Sequence, residues 1–364
     1  MPDLEVDAEA RVVQPFSYRG SSATIVFGNG ARRQIGDQLD ALGCRRALVL
    51  STPAQKQDAE RLVAELRDRV TGTFAGAAMH TPVDVTEAAI EIVETSNADC
   101  VIALGGGSTT GLGKAIAYRT DLPQICVPTT YAGSEVTPIL GQTEAGLKTT
   151  LRDDRVLPEV VIYDPELTIG LPVAMSVTSG LNAMAHAVEA LYAEDRNPIS
   201  SLMAIEGLRA FKTALPAVVA DSGNIEARSD ALYGAWLCGT VLGAVGMALH
   251  HKLCHSLGGS FNTPHAETHA ILLPHTAGYN AAASHEPLKS VAELFGDSAG
   301  RALFDFAASL GAPTSLRVLG LTEASLDAAA EIAVSNPYDN PRPFDQKSIR
   351  DLLQHAWAGQ RPEH

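Results

Sequence analysis

The strand signal of this chain stops near Leu171, and that break limits the fold more than any other feature of the sequence. Ahead of it, short apolar runs alternate with amphipathic stretches. Arg46–Leu50 (RALVL), Cys100–Leu104 (CVIAL) and Gln124–Val127 read as strands, and Gln57–Arg69 and Val85–Thr95 as helices. Strands separated by helices pair in parallel, with the helices lying on the sheet faces. Past the break, Ala- and Leu-rich helical patterns cover Val177–Ala193, Ser200–Val219, Ser229–Leu257 and Leu303–Leu310. The expectation is an α/β domain over residues 1–170 and an all-α domain over residues 171–364, which suits 364 residues at roughly 100–200 per domain.

Hydrophobic residues make up 46% and charged ones 19%, enough apolar material for large cores and too little charge for wholesale disorder. The formal charge is −15 with no long basic run to neutralise a phosphate backbone, so nucleic acid is not an expected partner. Five scattered cysteines, Cys44, Cys100, Cys126, Cys238 and Cys254, form no C-x-x-C pair, which argues against a disulfide framework. The segment Met1–Gln14 carries Asp3, Glu5, Asp7 and Glu9 and no apolar run, unlike a signal or transit peptide. A reducing cytoplasm is the expected compartment. Ala231–Leu249 holds no charged residue and contains Gly239-x-x-x-Gly243, a spacing that packs membrane helices. Four glycines (Gly234, Gly239, Gly243, Gly246) dilute it and no second span accompanies it, so a helix buried in the all-α domain is expected, with no membrane partner.

Two loops at strand ends carry small donors. Gly105-Gly106-Gly107-Ser108 follows the strand Cys100–Leu104 and precedes a helix through Lys114 to Tyr118. Amides at such a helix start bind a pyrophosphate, and glycine lets the phosphate come close to the backbone; a structural turn is the plain alternative. Neither standard fingerprint is met: Ser108 and Ala115 spoil a P-loop around Lys114, and Ile116 stands where a G-x-G-x-x-G motif needs glycine or alanine. The next loop, Pro128-Thr129-Thr130-Tyr131-Ala132-Gly133-Ser134-Glu135, ends the neighbouring strand, and open parallel sheets collect ligands beyond such ends. After the first strand, Ser51-Thr52-Pro53 stands where a ribose-binding acid would be expected. With no carboxylate to repel a 2′-phosphate, discrimination against NADP is expected to be weak.

Six of the eleven histidines lie close together: His250, His251, His255, His265, His269 and His275. His251 and His255, four apart, share a helix face, while His250 points about 100° away. Asn182 and His186 repeat the i, i+4 relation upstream. Any one of these reads as a hydrogen-bonded structural residue; together they mark a candidate site. Imidazoles suggest a divalent transition metal, but Asn182 is a neutral amide where a carboxylate would complete a catalytic set. Cys254, beside His255, faces another way and reads as packing.

These motifs together resemble the iron-containing alcohol dehydrogenase family over nearly the whole chain. The resemblance rests on Phe27-Gly28-Asn29-Gly30, Gly105-Gly106-Gly107-Ser108 with Lys114, Pro128-Thr129-Thr130 with Gly133-Ser134-Glu135, and Pro158 with Asp164. It continues through Ser179-Gly-Leu-Asn-Ala-Met-Ala-His186-Ala-Val-Glu-Ala, His251-Lys-Leu-Cys-His255-Ser-Leu-Gly, Pro264-His265 and Asn340-Pro-Arg-Pro343. It implies a Rossmann-like N-terminal domain and a helical C-terminal domain, an architecture like that of dehydroquinate synthase, with a cofactor cleft between them. Metal-dependent members hold their ion with one aspartate and three histidines. The matching positions here are Asn182, His186, His251 and His265, and His255 matches a histidine linked to proton transfer. Lys148 matches a lysine beside the cofactor, and Gly111 stands where metal-dependent members commonly carry an aspartate. With both acids replaced, and with Tyr131-Ala132-Gly133-Ser134 and Leu249-His-His-Lys-Leu-Cys254 present, the chain is similar to the branch that reduces 2-maleylacetate to 3-oxoadipate late in aromatic breakdown.

This resemblance implies a homodimer that uses NADH or NADPH, without a metal, on a small dicarboxylate. Gly105, Gly106, Gly107, Ser108, Thr129, Thr130, Ser134, Lys148 and Ser51 are the expected cofactor-binding residues; Asn182, His186, Lys252 and His265 the substrate-binding ones; His255 and His251 the catalytic ones. A conjugated ketone accepts hydride at its alkene carbon and becomes an enolate, which imidazole or imidazolium donors stabilise in place of a Lewis acid. His186, His251, His265 and Lys252 are expected to attract the dianion. Three other readings stay open: a metal-dependent alcohol or polyol dehydrogenase, a lyase resembling dehydroquinate synthase, and a non-catalytic nucleotide-binding protein.

Overall fold

Buried strands and amphipathic helices alternate through the first half of the chain. The structure, a computed structural model, describes residues 15–335 and 338–364; the acidic segment Met1–Gln14, read above against a leader sequence, lies outside the described residues. In chain order the elements are β1 (Thr24–Phe27), α1 (Ile35–Ala41), β2 (Ala47–Leu50), α2 (Lys56–Leu66), β3 (Val70–Phe74), α3 (Val83–Ser96), β4 (Cys100–Gly105), α4 (Gly107–Thr120), β5 (Gln124–Pro128), β6 (Ile139–Glu144), β7 (Leu147–Arg152) and β8 (Val160–Tyr163). Six of these strands form one parallel sheet in the order β1-β8-β5-β4-β2-β3, while β6 and β7 pair as an antiparallel hairpin. Period-2 alternation sorts the buried side chains. Val49, Ile102, Leu104, Ile125 and Ile162 pack on Ile35 and Leu39 of α1 and Ala59 and Leu62 of α2. Leu48, Leu50 and Val101 pack on Ala89 and Val93 of α3 and Leu112 and Ile116 of α4. The chain runs outward from β2 to β3 and returns through β4, β5 and β8, so the sheet order reverses between β2 and β4. The carboxyl ends of those two strands therefore flank a crevice of the kind in which nucleotides bind.

From α5 onward the described residues hold helices alone: α5 (Val173–Tyr192), α6 (Pro198–Ala220), α7 (Ile225–Ala244), α8 (Leu249–Phe261), α9 (His265–Ala281), α10 (His285–Phe295), α11 (Ala299–Ser309), α12 (Ser325–Val334) and α13 (Gln346–Ala358). The expected fold class, a parallel α/β part and a helical part, is the one observed. Leu181, Met184, Leu208 and Phe211 centre the core of α5, α6 and α7, and Ala103, Cys126, Val161 and Tyr163 of the sheet join it. A second core holds Leu253, Leu257, Ile271, Leu326 and Leu353. The pattern read as one helix over Ser229–Leu257 is two, α7 and α8, meeting at 96°; among the described residues no single helix is long and apolar enough to cross a membrane. The glycine spacing serves a different contact. A Cβ on Gly239 would lie 2.2 Å from Gly133 O, so α7 meets the loop after β5 main chain to main chain.

Candidate active site

β4 ends at Gly105, whose φ of +155° is open to glycine and strained for other residues. A Cβ there would lie 2.4 Å from Thr109 Oγ1, and one on Gly106 2.8 Å from Thr130 Cγ2, whereas Gly107 has nothing within 4 Å. The first two glycines are required by the loops themselves, and the third leaves an open face. α4 starts at Gly107 without a side-chain cap, so the leading amides of Gly107 and Ser108 and the positive end of the helix dipole are free for an anion. Thr129 is fixed beside them: its N–H donates to Gly105 O (3.0 Å) and its Oγ1 accepts from Gln55 Nε2 (2.9 Å). Gln55 also accepts from Thr52 Oγ1 (3.2 Å), which draws the loops after β2, β4 and β5 to one crevice. These residues fit the pyrophosphate of a dinucleotide.

Three neighbours play other parts than the sequence suggests. The Ser51 side chain is fully buried with its Oγ unpartnered, and its main chain bonds to Phe74 and Ala77, so the half-buried Thr52 is the hydroxyl available at that strand end. Lys114 is buried, donates to Ser134 O (2.6 Å), Thr137 O (2.7 Å), Thr137 Oγ1 (2.9 Å) and Ile139 O (2.9 Å), and has its pKa pushed down to about 8 by burial. It fastens the segment that carries Ser134, whose Oγ has no protein partner. Asp164 accepts from the amides of Gly30 (2.9 Å) and Arg32 (3.1 Å) and so ties β8 to the turn after β1.

Across the cleft, α5 presents Asn182, His186 and Glu189 on one face at i, i+4, i+7. Glu189 is 1% exposed and reaches the start of α8. Its Oε1 accepts from the amides of Ala248 (3.1 Å) and His250 (2.9 Å), and its Oε2 from the His251 amide (3.3 Å) and the His251 Nδ1. Asn340 Oδ1 takes the Leu249 amide (3.4 Å), so each of the leading amides of α8 has a side-chain acceptor. His251 Nε2 lies 2.9 Å from His186 Nδ1, and His186 Nε2 3.3 Å from Ala132 O. A carbonyl only accepts, so the hydrogen-bond roles put the His186 proton on Nε2 and make His251 Nε2 the donor to His186 Nδ1, with His251 Nδ1 facing the Glu189 carboxylate. A second chain lies alongside: His269 Nδ1 donates to His250 Nε2 (2.9 Å), His250 Nδ1 to Thr276 Oγ1 (2.9 Å), and Thr276 to Leu272 O (3.0 Å). His269 Nε2 is left buried without a partner.

Ring centroids of His269 lie 4.4 Å from His265 and 5.0 Å from His251, and those of His251 and His255 are 6.1 Å apart. The structure thus brings together His186, His250, His251, His255, His265 and His269; His275, six residues further along α9, packs on Phe304 instead. His255 and His265 are accessible to solvent yet flanked by protein on most sides, as residues lining a cleft are. Burial first, and then His251 and Lys148, push both pKa values down to about 3. Burial holds His186, His250 and His269 well below the ordinary range as well. This corrects the expectation that imidazolium charge at His186 and His265 attracts a dianion: both rings are neutral near pH 7. Positive charge comes from Lys148 on β7 and from Lys252, whose ammonium stands 5.5 Å from the centre of the Tyr338 ring.

The family's metal positions do not fit an ion. Asn182 is buried with Oδ1 unpartnered, but that oxygen is neutral, and His186 and His251 spend their nitrogens on each other, on Ala132 and on Glu189. Among the described residues, the convergent groups of three His, Cys, Asp or Glu donors are His250-Cys254-His269 and Cys44-Asp99-Cys100, and neither includes these positions. At Gly111, a Cβ would lie 2.3 Å from Thr81 Oγ1, so the threonine occupies the space an aspartate would need. Sequence reasoning placed His269 in the cluster without giving it a role, and missed Glu189 as a member of the site. Glu189 had a signal, since it extends the Asn182–His186 face by one more turn.

Comparison with known proteins agrees with this geometry. The family described as iron-containing alcohol dehydrogenase matches residues 22–165, and its C-terminal part, described as Fe-containing alcohol dehydrogenase family, matches residues 176–357. The chain is 63% identical to a maleylacetate reductase of Rhizobium sp. (strain MTP-10005) over 96% of its own length and 100% of the relative's. It is 54% identical to one of Burkholderia cepacia, over 95% and 99% of the two chains. The crystal structure of maleylacetate reductase from Agrobacterium tumefaciens superposes with a TM-score of 0.94 at 63% identity, covering 96% of this chain and 100% of that one.

Proposed function

This chain belongs to the iron-containing alcohol dehydrogenase family of oxidoreductases, and from that premise we propose that it is a maleylacetate reductase, reducing 2-maleylacetate to 3-oxoadipate with NADH or NADPH in aromatic-compound breakdown. The observation that carries the reading beyond the family is the constellation around Asn182: a neutral amide where a ligand acid is expected, beside two histidines bonded to each other. A site built this way serves a substrate that is activated without a Lewis acid and carries two negative charges of its own. Maleylacetate meets both conditions, because its ketone is conjugated to the double bond. The bound nicotinamide supplies hydride to the alkene carbon β to the ketone. The cleft-lining His255 and His265 offer ring N–H donors to the enolate oxygen that forms, while His251, engaged by Glu189 and His186, holds the cluster behind them. His255, open to solvent, passes a proton from water to the neighbouring carbon. Asn182 adds no negative charge to oppose the dianion, and Lys148 and Lys252 supply the attraction.

The strand-end residues Gly107, Ser108, Thr129, Thr130 and Ser134 take the cofactor phosphates in this reading, and Thr52, with no acid beside it, admits a 2′-phosphate. The same reading includes a metal-free homodimer and a reducing cytoplasm, and the five buried free thiols support the compartment alone. The test is oxidation of NADH and NADPH with maleylacetate by protein whose iron and zinc content has been measured. Turnover with both cofactors, unequal by less than about a thousandfold (roughly 4 kcal/mol) and unchanged by EDTA, is expected. Activity on an alcohol or polyol that appears only with stoichiometric metal would replace this reading by a metal-dependent dehydrogenase.

A further inference from the structure

A pair of residues outside every motif above faces the same cleft. His80 and Thr81, in the connection from β3 to α3, both have positive φ, 63° and 48°. Neither is a glycine, and such a backbone persists only where the surroundings enforce it. Here they do. The Thr81 amide donates to Ala78 O (3.3 Å), Thr81 O accepts from the Thr143 amide of β6 (3.2 Å), and Pro82 bridges Thr143. Thr143 stands directly opposite Lys148 in the β6-β7 hairpin. The strained turn is thus stitched to the strand pair that carries Lys148, with Thr81 buried over Gly111 and His80 left half-buried.

Lys148 is partly buried, and among the described residues no carboxylate pairs with it and no hydrogen bond takes its ammonium. Its charge acts on His80 on its own side and on His255 and His265 across the cleft, and burial lowers the pKa of His80 further than Lys148 does. Glu189, the buried acid of the imidazole cluster, is engaged by α8. An ammonium without a counter-ion beside a neutral imidazole N–H, on the sheet side of the cleft, is a receptor for one carboxylate.

Building on the maleylacetate reading, we propose that His80 and Lys148 form the pocket for the substrate carboxylate attached to the carbon that receives hydride, which makes His80 a specificity-determining residue. That carbon must lie at the cofactor loops of the sheet, while the ketone two carbons further on reaches the imidazoles of α8 and α9. Its carboxylate therefore falls on the sheet side, where this pocket is. Lys148 takes a substrate role in place of the cofactor role implied by the family resemblance.

The experiment compares wild type with His80→Asn, which removes the imidazole and keeps a residue that tolerates positive φ. Three substrates are used with NADH: maleylacetate; 4-oxopent-2-enoate, which keeps this carboxylate and lacks the other; and 3-oxohex-4-enoate, which lacks this one and keeps the other. The variant should raise KM about tenfold or more for the first two and less than about twofold for the third, with KM for NADH within about twofold of wild type. Unchanged constants, equal losses on all three substrates, or a loss confined to 3-oxohex-4-enoate would overturn the assignment while leaving the reaction itself standing. A wild type that does not turn over maleylacetate overturns the reaction and the pocket together. Lys148→Met, read against the same three substrates, gives the same contrast if the His80 turn does not fold with a replacement.

Discussion

Removal of the Glu189 carboxylate tests how the two halves of the imidazole cluster are held. In Glu189→Ala, the amides of Ala248, His250 and His251 lose their acceptor and His251 loses its ring partner. A lost helix cap costs about 1 kcal/mol, each buried donor left unpaired about 1–3 kcal/mol, and a lost hydrogen bond to a charged group about 1.5–3 kcal/mol. These contributions overlap at one carboxylate, so about 4–5 kcal/mol is expected, a large share of a stability of about 5–15 kcal/mol. Glu189→Gln keeps the shape and one acceptor oxygen, but its NH2 must face either the α8 amides or His251. A loss of about 2 kcal/mol is expected there, with turnover about a hundredfold lower as the His251 ring turns away from its position. Urea unfolding followed by circular dichroism gives the first quantity, and NADH oxidation with maleylacetate the second. An alanine variant within about 1 kcal/mol of wild type would refute the capping argument. A glutamine variant with wild-type turnover would show that the carboxylate serves the helix and not the ring.

Other outcomes follow from the same geometry. His255→Ala should lower turnover about a hundredfold with little change in KM for maleylacetate; an active His255→Ala enzyme beside an inactive, normally binding His251→Ala enzyme would move the proton to His251. Because the pKa values of His255 and His265 are pushed to about 3, KM for maleylacetate should stay flat between about pH 6 and 8. It should rise on the alkaline side, as Lys148, lowered from the ordinary lysine range by burial, gives up the proton whose charge attracts the dianion. A KM that climbs through about pH 6–7 would restore the imidazolium explanation. Gly239→Ala, which puts a methyl against Gly133 O, should cost about 1–3 kcal/mol in unfolding experiments, whereas Gly107→Ala, facing open space, should spare stability and raise KM for NADH.

The strands β2, β4 and β5 were legible because each is a continuous buried run, and the helices α2 and α3 because their apolar faces repeat. β3 and the hairpin strand β7 carry no such run: β3 is half-buried with Gly72 at its centre, and β7 is largely exposed. The break between α7 and α8 was hidden because Val245-Gly246-Met247-Ala248 continues the uncharged texture on either side, and the acceptor that fixes it lies far back in the chain. Histidine number and helix face pointed to the cluster, but charge did not follow from sequence, since the neutrality of His186, His250 and His269 arises from burial and that of His255 and His265 from the protein and the charges packed around them. The burial of the Ser51 side chain was not legible either, because β2 is buried on both faces and its burial continues one residue past the strand. His80 and Thr81 left no trace in the sequence, because neither is the glycine or asparagine that usually marks a left-handed backbone; theirs is enforced from outside, through Ala78 and Thr143.

Glu189 is also made before the helix it caps. It precedes Ala248 by 59 residues, which is about 3–12 s of synthesis at about 5–20 residues per second. When the ribosome releases the uncharged stretch Ala231–Leu249, α5 and its carboxylate already exist, so the stretch turns through 96° onto an acceptor that is in place. A circular permutant opened between α5 and α6 reverses that order. It releases the apolar stretch first and leaves the α8 amides without the Glu189 carboxylate until the far end of the chain delivers the acid.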